Sequence, residues 1–266
     1  MTAPRIHIGI GGWVFAPWRG SFYPKGLPQK EELRYAGERL TGIEINGTYY
    51  GAQKPASFAR WREETPAGFV FALKGSRFVT NRRVLAEAGP SVGKFCASGI
   101  TELGDKLGPI NWQLPATKRF DADDIAAFLA LLPESVDGIT LRHAIEARHD
   151  SFRDPGFVAL CRDRGVAIIT AADGEYPTIT DLTAPFAYLR IMGTTADHDA
   201  GYAPDALDTW AMRAKALAAG KGLDDLHPPV ATAAETTPRD VFLFVISGEK
   251  ERNPAAAQEL IRRVKG

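Results

Sequence analysis

The sequence is poor in the residues that mark specialised protein classes. Its two cysteines, Cys96 and Cys161, both fall in segments with helical apolar spacing, which excludes a disulfide framework and a Cys-rich metal ribbon. The five histidines, His7, His143, His149, His198 and His227, include no pair at a usual ligand spacing. Charge of one sign is not in excess either. The 32 Lys and Arg residues balance 32 Asp and Glu residues, so no global field draws the chain to nucleic acid or an anionic membrane. No stretch approaches the roughly 18 consecutive apolar residues of a membrane helix, and no apolar run precedes Ile6, so a cytoplasmic protein with no membrane partner is expected. Gly-x-Ser-x-Gly, Walker and Cys-x-x-Cys motifs are also lacking. Gly9 and Gly11 approximate a dinucleotide-binding turn, but Val14 stands where its third glycine belongs and Pro17 interrupts the helix that should follow.

What is present is alternation. Apolar strand-like runs at 6–10, 43–50, 69–74, 109–114, 139–148, 166–171, 186–191 and 241–246 are separated by segments with helical spacing. Such a series predicts an α/β fold, a TIM-like (β/α)₈ barrel, which at about 250 residues uses the whole chain, 1–266, as one domain. A doubly wound open sheet is the competing architecture. Asp121 is a plausible cap for a helix carrying Ile125, Phe128, Leu129 and Leu132, and a longer helix is expected over about 90–103. After Asp173, Pro177 and the short stretch to Thr183 leave little room for a helix, so the fold should be irregular after the sixth strand. The Gly-, Pro- and Ala-rich segment 220–239 reads as a flexible insertion before the last strand, at the end of the barrel away from chemistry.

A barrel gathers the C-terminal ends of its strands at one mouth, and here those ends are polar. Period two puts Glu44 and Asn46 on one face, Val70, Ala72 and Lys74 on another, Glu146 with Arg148, and Tyr188 with Arg190. Glu44 and Glu146 are therefore candidates for general acid and base beside Lys74. Asn46, Tyr49, Gln113, Arg148, His149, Asp173, Arg190 and Trp13 are candidate substrate-binding residues, with Arg forking onto carboxylate or phosphate. The plainer reading makes Glu44–Lys74 and Glu146–Arg148 ion pairs that only brace the barrel top. Gly193, Thr194, Ser247 and Gly248 follow the last two strands, where barrels often bind phosphate, although the same residues also simply make turns.

Several motifs in order carry a resemblance. They are Gly9-Ile10-Gly11-Gly12-Trp13, Phe22-Tyr23-Pro24, Glu44-Ile45-Asn46 with Thr48 and Tyr50, then Trp61, Lys74, Arg77 and Thr80. Lys106-Leu107-Gly108-Pro109, Gln113-Leu114-Pro115 and Glu146-Ala147-Arg148-His149 complete the set. With these the chain resembles the YecE-like family, a domain of unknown function, which implies an α/β barrel and supplies no reaction. Asn81, Phe152, Met192 and Ser247-Gly248-Glu249 depart from the family pattern, in which His, Trp, His and an Asn pair are usual.

The mixed-charge mouth leads to the expectation of an enzyme, hydrolase, lyase or isomerase, acting on a small phosphorylated or carboxylated molecule by acid/base chemistry without metal or cofactor. A non-catalytic ligand- or nucleic-acid-binding barrel is the alternative, with Arg77, Arg82, Arg83, Trp13, Tyr49 and Tyr50 as its surface. A metal-dependent hydrolase or isomerase using Glu44, Glu146, Asp173 and His149 is the third reading. Oligomeric state is left open.

Overall fold

Strand alternation sets the architecture seen in the computed structural model, which describes residues 4–231 and 236–266. In β1 (Ile6–Gly11), Ile8 and Ile10 join the layer between barrel and helices, while His7 turns inward and stacks on Phe242 at 5.1 Å. The same rule holds for β2 (Gly42–Ile45), β3 (Val70–Lys74), β4 (Leu107–Gln113) and β5 (His143–Glu146). Two short pieces follow, β6 (Ala167–Ile168) and β7 (Thr170–Ala172), then β8 (Phe186–Ile191) and β9 (Asp240–Val245).

All neighbouring barrel strands pair in parallel, in the order β6-β5-β4-β3-β2-β1-β9-β8-β7. The two ends of that order are consecutive in the chain, separated only by Ile169, whose N–H donates to Ile145 O at 2.9 Å. The barrel therefore closes on a seam through one interrupted strand. Its interior is filled unevenly: Phe186, Tyr188, Phe242 and Phe244 come from β8 and β9, and Ala72, Ala144, Ala167 and Ala171 face them from the other strands.

Helices α1 (Glu32–Gly37), α2 (Pro55–Glu64), α3 (Gly89–Cys96), α4 (Ala122–Ala130) and α5 (Pro155–Asp163) follow the first five strands. Helices α6 (Pro204–Ala218) and α7 (Asn253–Lys265) follow β8 and β9. Proline opens α2, α3, α5, α6 and α7, where its missing N–H costs nothing. Asp121 caps α4 by accepting from Asp124 N at 3.0 Å, as its spacing predicts.

Among the described residues no helix follows β7. Threonines take its place. Thr170 Oγ1 donates to Ile179 O (3.0 Å), Thr178 Oγ1 to Ala171 O (2.8 Å) and Thr183 Oγ1 to Val166 O (2.6 Å), which lays 178–183 back along the seam. Asp181 then accepts the N–H groups of Val230 and Ala231 at 2.7 and 2.8 Å. The described part of the expected insertion is thus tied to the seam, and Leu223 within it is buried. Residues 232–235 of that segment lie outside the described residues.

Three expected boundaries are corrected. The strand expected over 43–50 stops at Ile45: Asn46 adopts a helical conformation (φ −84°, ψ −20°) and starts the short turn Gly47–Tyr50, so it does not continue Glu44's face. The strand expected over 139–148 is His143–Glu146 alone, because Ser135–Val136 and Ile139–Thr140 form a separate hairpin around Asp137-Gly138, both at positive φ. The helix expected over about 90–103 ends at Cys96, and left-handed Gly99 (φ 92°) introduces a 3-10 segment, Ile100–Lys106.

β1 and β2 meet closely at a pair of glycines. Gly9 and Gly42 are register partners, and a Cβ on Gly9 would lie 1.7 Å from Gly42 O. Gly9→Ala is expected to lower stability by about 3 kcal/mol, because backbone on both sides must move. A urea denaturation midpoint unchanged from wild type would refute this packing.

Candidate functional site

Above the aromatic interior the inward positions become polar. Glu44 comes from β2, Asn111 and Gln113 from β4, Glu146 from β5, and Tyr188 and Arg190 from β8. Lys74 and Asn111 are register partners, as are Gln113 and Glu146, so the side chains lie at similar heights around the wall.

Arg190 lies between the two carboxylates. Its Nη2 donates to Glu44 Oε1 at 2.9 Å and its Nη1 to Glu146 Oε2 at 2.5 Å. The second oxygen of Glu44 accepts the Tyr188 hydroxyl at 2.5 Å, and Asn111 Nδ2 reaches both carboxylates at 3.4 and 3.3 Å. Both carboxylates are fully buried and Arg190 is 2% exposed. Burial opposes the charge of Glu146, but Arg190 and Arg148 outweigh it and hold this carboxyl below its usual pKa. Burial likewise disfavours charge on Arg190, and Glu146 and Glu44 reverse that and raise its pKa further. The Tyr188 phenol is pushed well up by burial and by Glu44, so it serves as a donor.

The mouth lies one step further out. Arg148 Nε donates to Glu146 Oε1 at 2.7 Å, Nη2 to Gln113 Oε1 at 2.8 Å and Nη1 to the Tyr176 hydroxyl at 3.2 Å. Its side chain keeps 18% exposure. Lys74, half-buried at the end of β3, is not part of the expected ion pair with Glu44; that carboxylate is taken by Arg190. Its Nζ instead lies 4.6 Å from the centre of the Tyr49 ring. Burial lowers the Lys74 pKa, and Glu44 offsets this in part. The Tyr49 hydroxyl donates to Asn81 Oδ1 at 3.3 Å, which places that departing residue at the rim.

Other sequence-selected residues do not converge here. His149 Nδ1 accepts from Ser151 N at 3.1 Å and caps a short 3-10 turn. Asp173 Oδ2 accepts from Tyr202 Oη (3.0 Å) and Trp210 Nε1 (2.9 Å), which secures the loop after β7 to α6. Trp13 packs edge-on against Trp61 and Phe71, in the layer outside the barrel and not across its mouth. Glu44, Glu146, Asp173 and His149 thus form no joint ligand set, and among the described residues no three His, Cys, Asp or Glu side chains gather as metal ligands. At the expected phosphate loops, Gly193 N–H donates to Tyr202 Oη (2.8 Å), buried Thr194 donates to Asn253 Oδ1 (2.7 Å) and Glu249 N–H donates to Thr194 O (2.7 Å). Ser247 and Gly248 form a left-handed turn, φ 61° and 58°, whose Ser247 carbonyl accepts from Asn253. Met192 and Phe152 are buried apolar residues.

Asn111, Tyr188 and Tyr176 were not among the selected residues. For two of them the signal is alternation, since Asn111 shares Gln113's face and Tyr188 shares Arg190's. Tyr176 lies in an irregular loop and has no such signal.

The family model described as "Protein of unknown function DUF72" matches residues 7–266. The chain belongs to the DUF72 family. This agrees with the YecE-like resemblance carried by its motifs. A DUF72 protein from Thermotoga maritima MSB8 is 18% identical and superposes with a TM-score of 0.75 over 98% of this chain and 100% of that one. A DUF72 protein from Enterococcus faecalis V583 is 15% identical, with a TM-score of 0.70 and full coverage of both chains. Beyond DUF72, SacUVDE shares the fold at 8% identity, with a TM-score of 0.52 over 98% of each chain. No curated protein matches the sequence.

Removing Arg190 would leave two buried carboxylates with too little counter-charge. Arg190→Gln is expected to cost about 3–5 kcal/mol at pH 7. Because Glu146 has a lowered pKa when folded, its stabilising contribution is present above its unfolded pKa of about 4.3 and is lost as pH falls through the folded value. The gap between wild type and variant should therefore narrow on acidification. Urea titrations at pH 7 and near pH 3 measure it, and a constant gap would refute the pairing.

Proposed function

We propose that the mouth of this DUF72 barrel takes a small phosphorylated or carboxylated molecule and moves a proton on it by acid/base chemistry that needs no metal. One observation carries the reading. Lys74, Arg148 and Arg190 bring three positive charges to a cluster whose hydrogen-bonded carboxylates, Glu44 and Glu146, number two. An anion entering the mouth would neutralise the remaining charge, which sits on the half-buried Lys74.

The roles follow from exposure. Glu44 and Glu146, selected from sequence as acid and base, have every oxygen bonded inside the protein and act in this reading as positioning residues for Arg190 and Arg148. Arg148 and Gln113, held together at 2.8 Å, orient the anion. Lys74 carries the proton: its charged form attracts the anion, and burial, by lowering its pKa, makes the neutral, proton-accepting form easier to reach. A base beside an anion clamp suits proton abstraction next to a carboxylate or phosphate ester, the chemistry of a lyase or isomerase.

Deuterium uptake tests this directly. Wild-type protein in deuterated water with a panel of small phosphorylated and carboxylated metabolites is expected to exchange a carbon-bound hydrogen of at least one, as read by mass spectrometry. Lys74→Met should slow that exchange by about 10²-fold or more. The wild-type rate should rise with pH through a lysine pKa below the ordinary value of about 10.4. Exchange with no compound, or exchange equally fast in Lys74→Met, would overturn the proposal.

A further inference from the structure

The chemistry at the mouth leaves the adjoining ground over β3 and β4 without a role. Two concavities open there. One, of about 290 Å³, lies between the Gly47–Tyr50 turn and α3, with Gln53, Ser76, Phe95 and Lys94 in its walls. The other, of about 640 Å³, is lined by Asn81, Arg83, Lys118 and Arg119 from the connections after β3 and β4. Arg82 lines both, so the two adjoin, and together they form a groove.

The groove concentrates positive charge in a chain whose net charge is zero. Arg77, Arg83, Lys94 and Arg119 are exposed, and among the described residues none has a carboxylate partner. Arg82 is held by Phe78 O at 3.0 Å and Ser91 Oγ at 3.3 Å, both uncharged. Two nearby acids are already engaged, one of them, Asp121, in the wall of the larger concavity, while Glu87 is exposed. Asp124 accepts from Lys118 Nζ at 2.5 Å and Ala86 N at 2.9 Å, and Asp121 caps α4.

Aromatic rings are interleaved with these cations. Phe78 is 61% exposed beside Arg77 and Arg82, and Tyr50 is 64% exposed. Tyr49 links the groove to the mouth through its hydrogen bond to Asn81 and its contact with Lys74. Unpaired cations bind phosphates, and exposed rings stack on unpaired bases. An acidic peptide would satisfy the cations but leave Phe78 and Tyr50 in water. A duplex hides the faces of its bases.

We propose that this groove binds a single-stranded nucleic acid, with its phosphates along Lys94, Arg82, Arg83 and Arg119 and a base on Phe78. The surface is separate from the residues assigned to proton transfer, so either reading can fail alone.

The test is fluorescence anisotropy with a labelled oligothymidylate of about 12 nucleotides, titrated with full-length protein across a salt series. Saturable binding is expected at low salt, with log K falling linearly against log salt by about 0.7 per phosphate contact. Replacing Arg83 and Arg119 together by Gln should make that slope shallower by about 1.4, and replacing both by Lys should preserve it. Phe78→Ala should weaken binding about tenfold at unchanged slope. Circular dichroism should match wild type for each variant, since all three side chains are exposed. No binding at low salt, or a slope unmoved by the Gln double variant, would overturn the proposal. So would displacement by polyglutamate as efficient as by unlabelled oligonucleotide, or tighter binding of the duplex.

Discussion

Two carboxylates taken out of water cost several kcal/mol each unless a cation and hydrogen bonds meet them inside, and Glu44 and Glu146 are met by Arg190. The guanidinium suits this position because its two Nη groups point to different partners, one carboxylate each, where an ammonium would present a single centre. Phe242, Phe244 and Tyr188 fill the barrel below it, and Phe244 has room because its register partner Gly9 on adjoining β1, and Gly42 beyond it on β2, carry no side chain. Polar cluster and apolar plug depend on each other: the plug keeps water from the charges, and the charges fix the strands that supply the plug.

The mouth above this layer is asymmetric. On the side of β7, β8 and β9, polar side chains are consumed by the protein itself: Asp173 holds Tyr202 and Trp210, and Thr194 holds Asn253. Around β2, β3 and β4 the reverse is true. Among the described residues Lys74 has no carboxylate bonded to it, Tyr49 and Asn81 meet at the rim, and the loops beyond carry exposed arginines. Free positive charge is therefore gathered on one half of the barrel top. Both proposed activities use that half, the small-molecule reaction at its inner edge and the polynucleotide contact at its outer edge.

Much of this was legible before folding. Period-two alternation places Glu44, Glu146, Arg190 and Lys74 on inward faces, and the alternation of strands with helical spacing indicates the barrel. Pro177 and the short stretch to Thr183 correctly mark the connection without a helix. What alternation cannot give is partner choice. Lys74 and Arg190 are equally plausible counter-charges for Glu44 on a strand diagram, and only the three-dimensional packing gives that carboxylate to Arg190. Trp13 and Asp173 are legible as residues near strand ends but not as a packing ring and a loop anchor, because those roles depend on Trp61 and Tyr202 arriving from elsewhere, whereas the His149 cap is local, accepting from Ser151 two residues on. The Asp137-Gly138 turn was a readable hairpin signal that a long apolar run concealed.

The seam at Ile169 has a consequence for how the barrel selects its register. Glu146 lies on β5 and Arg190 on β8, so their bond spans the interrupted strand from inside, beside β7, which among the described residues is followed by no helix. A slip of one residue along β6 or β7 would turn inward side chains outward and shift β5 against β8, which carry the two charges. A closure that parts these two charges leaves both buried without their partner, which is costly. The ion pair thus distinguishes the native register across the seam from a slipped one, which a hydrophobic contact, indifferent to direction, would do less selectively.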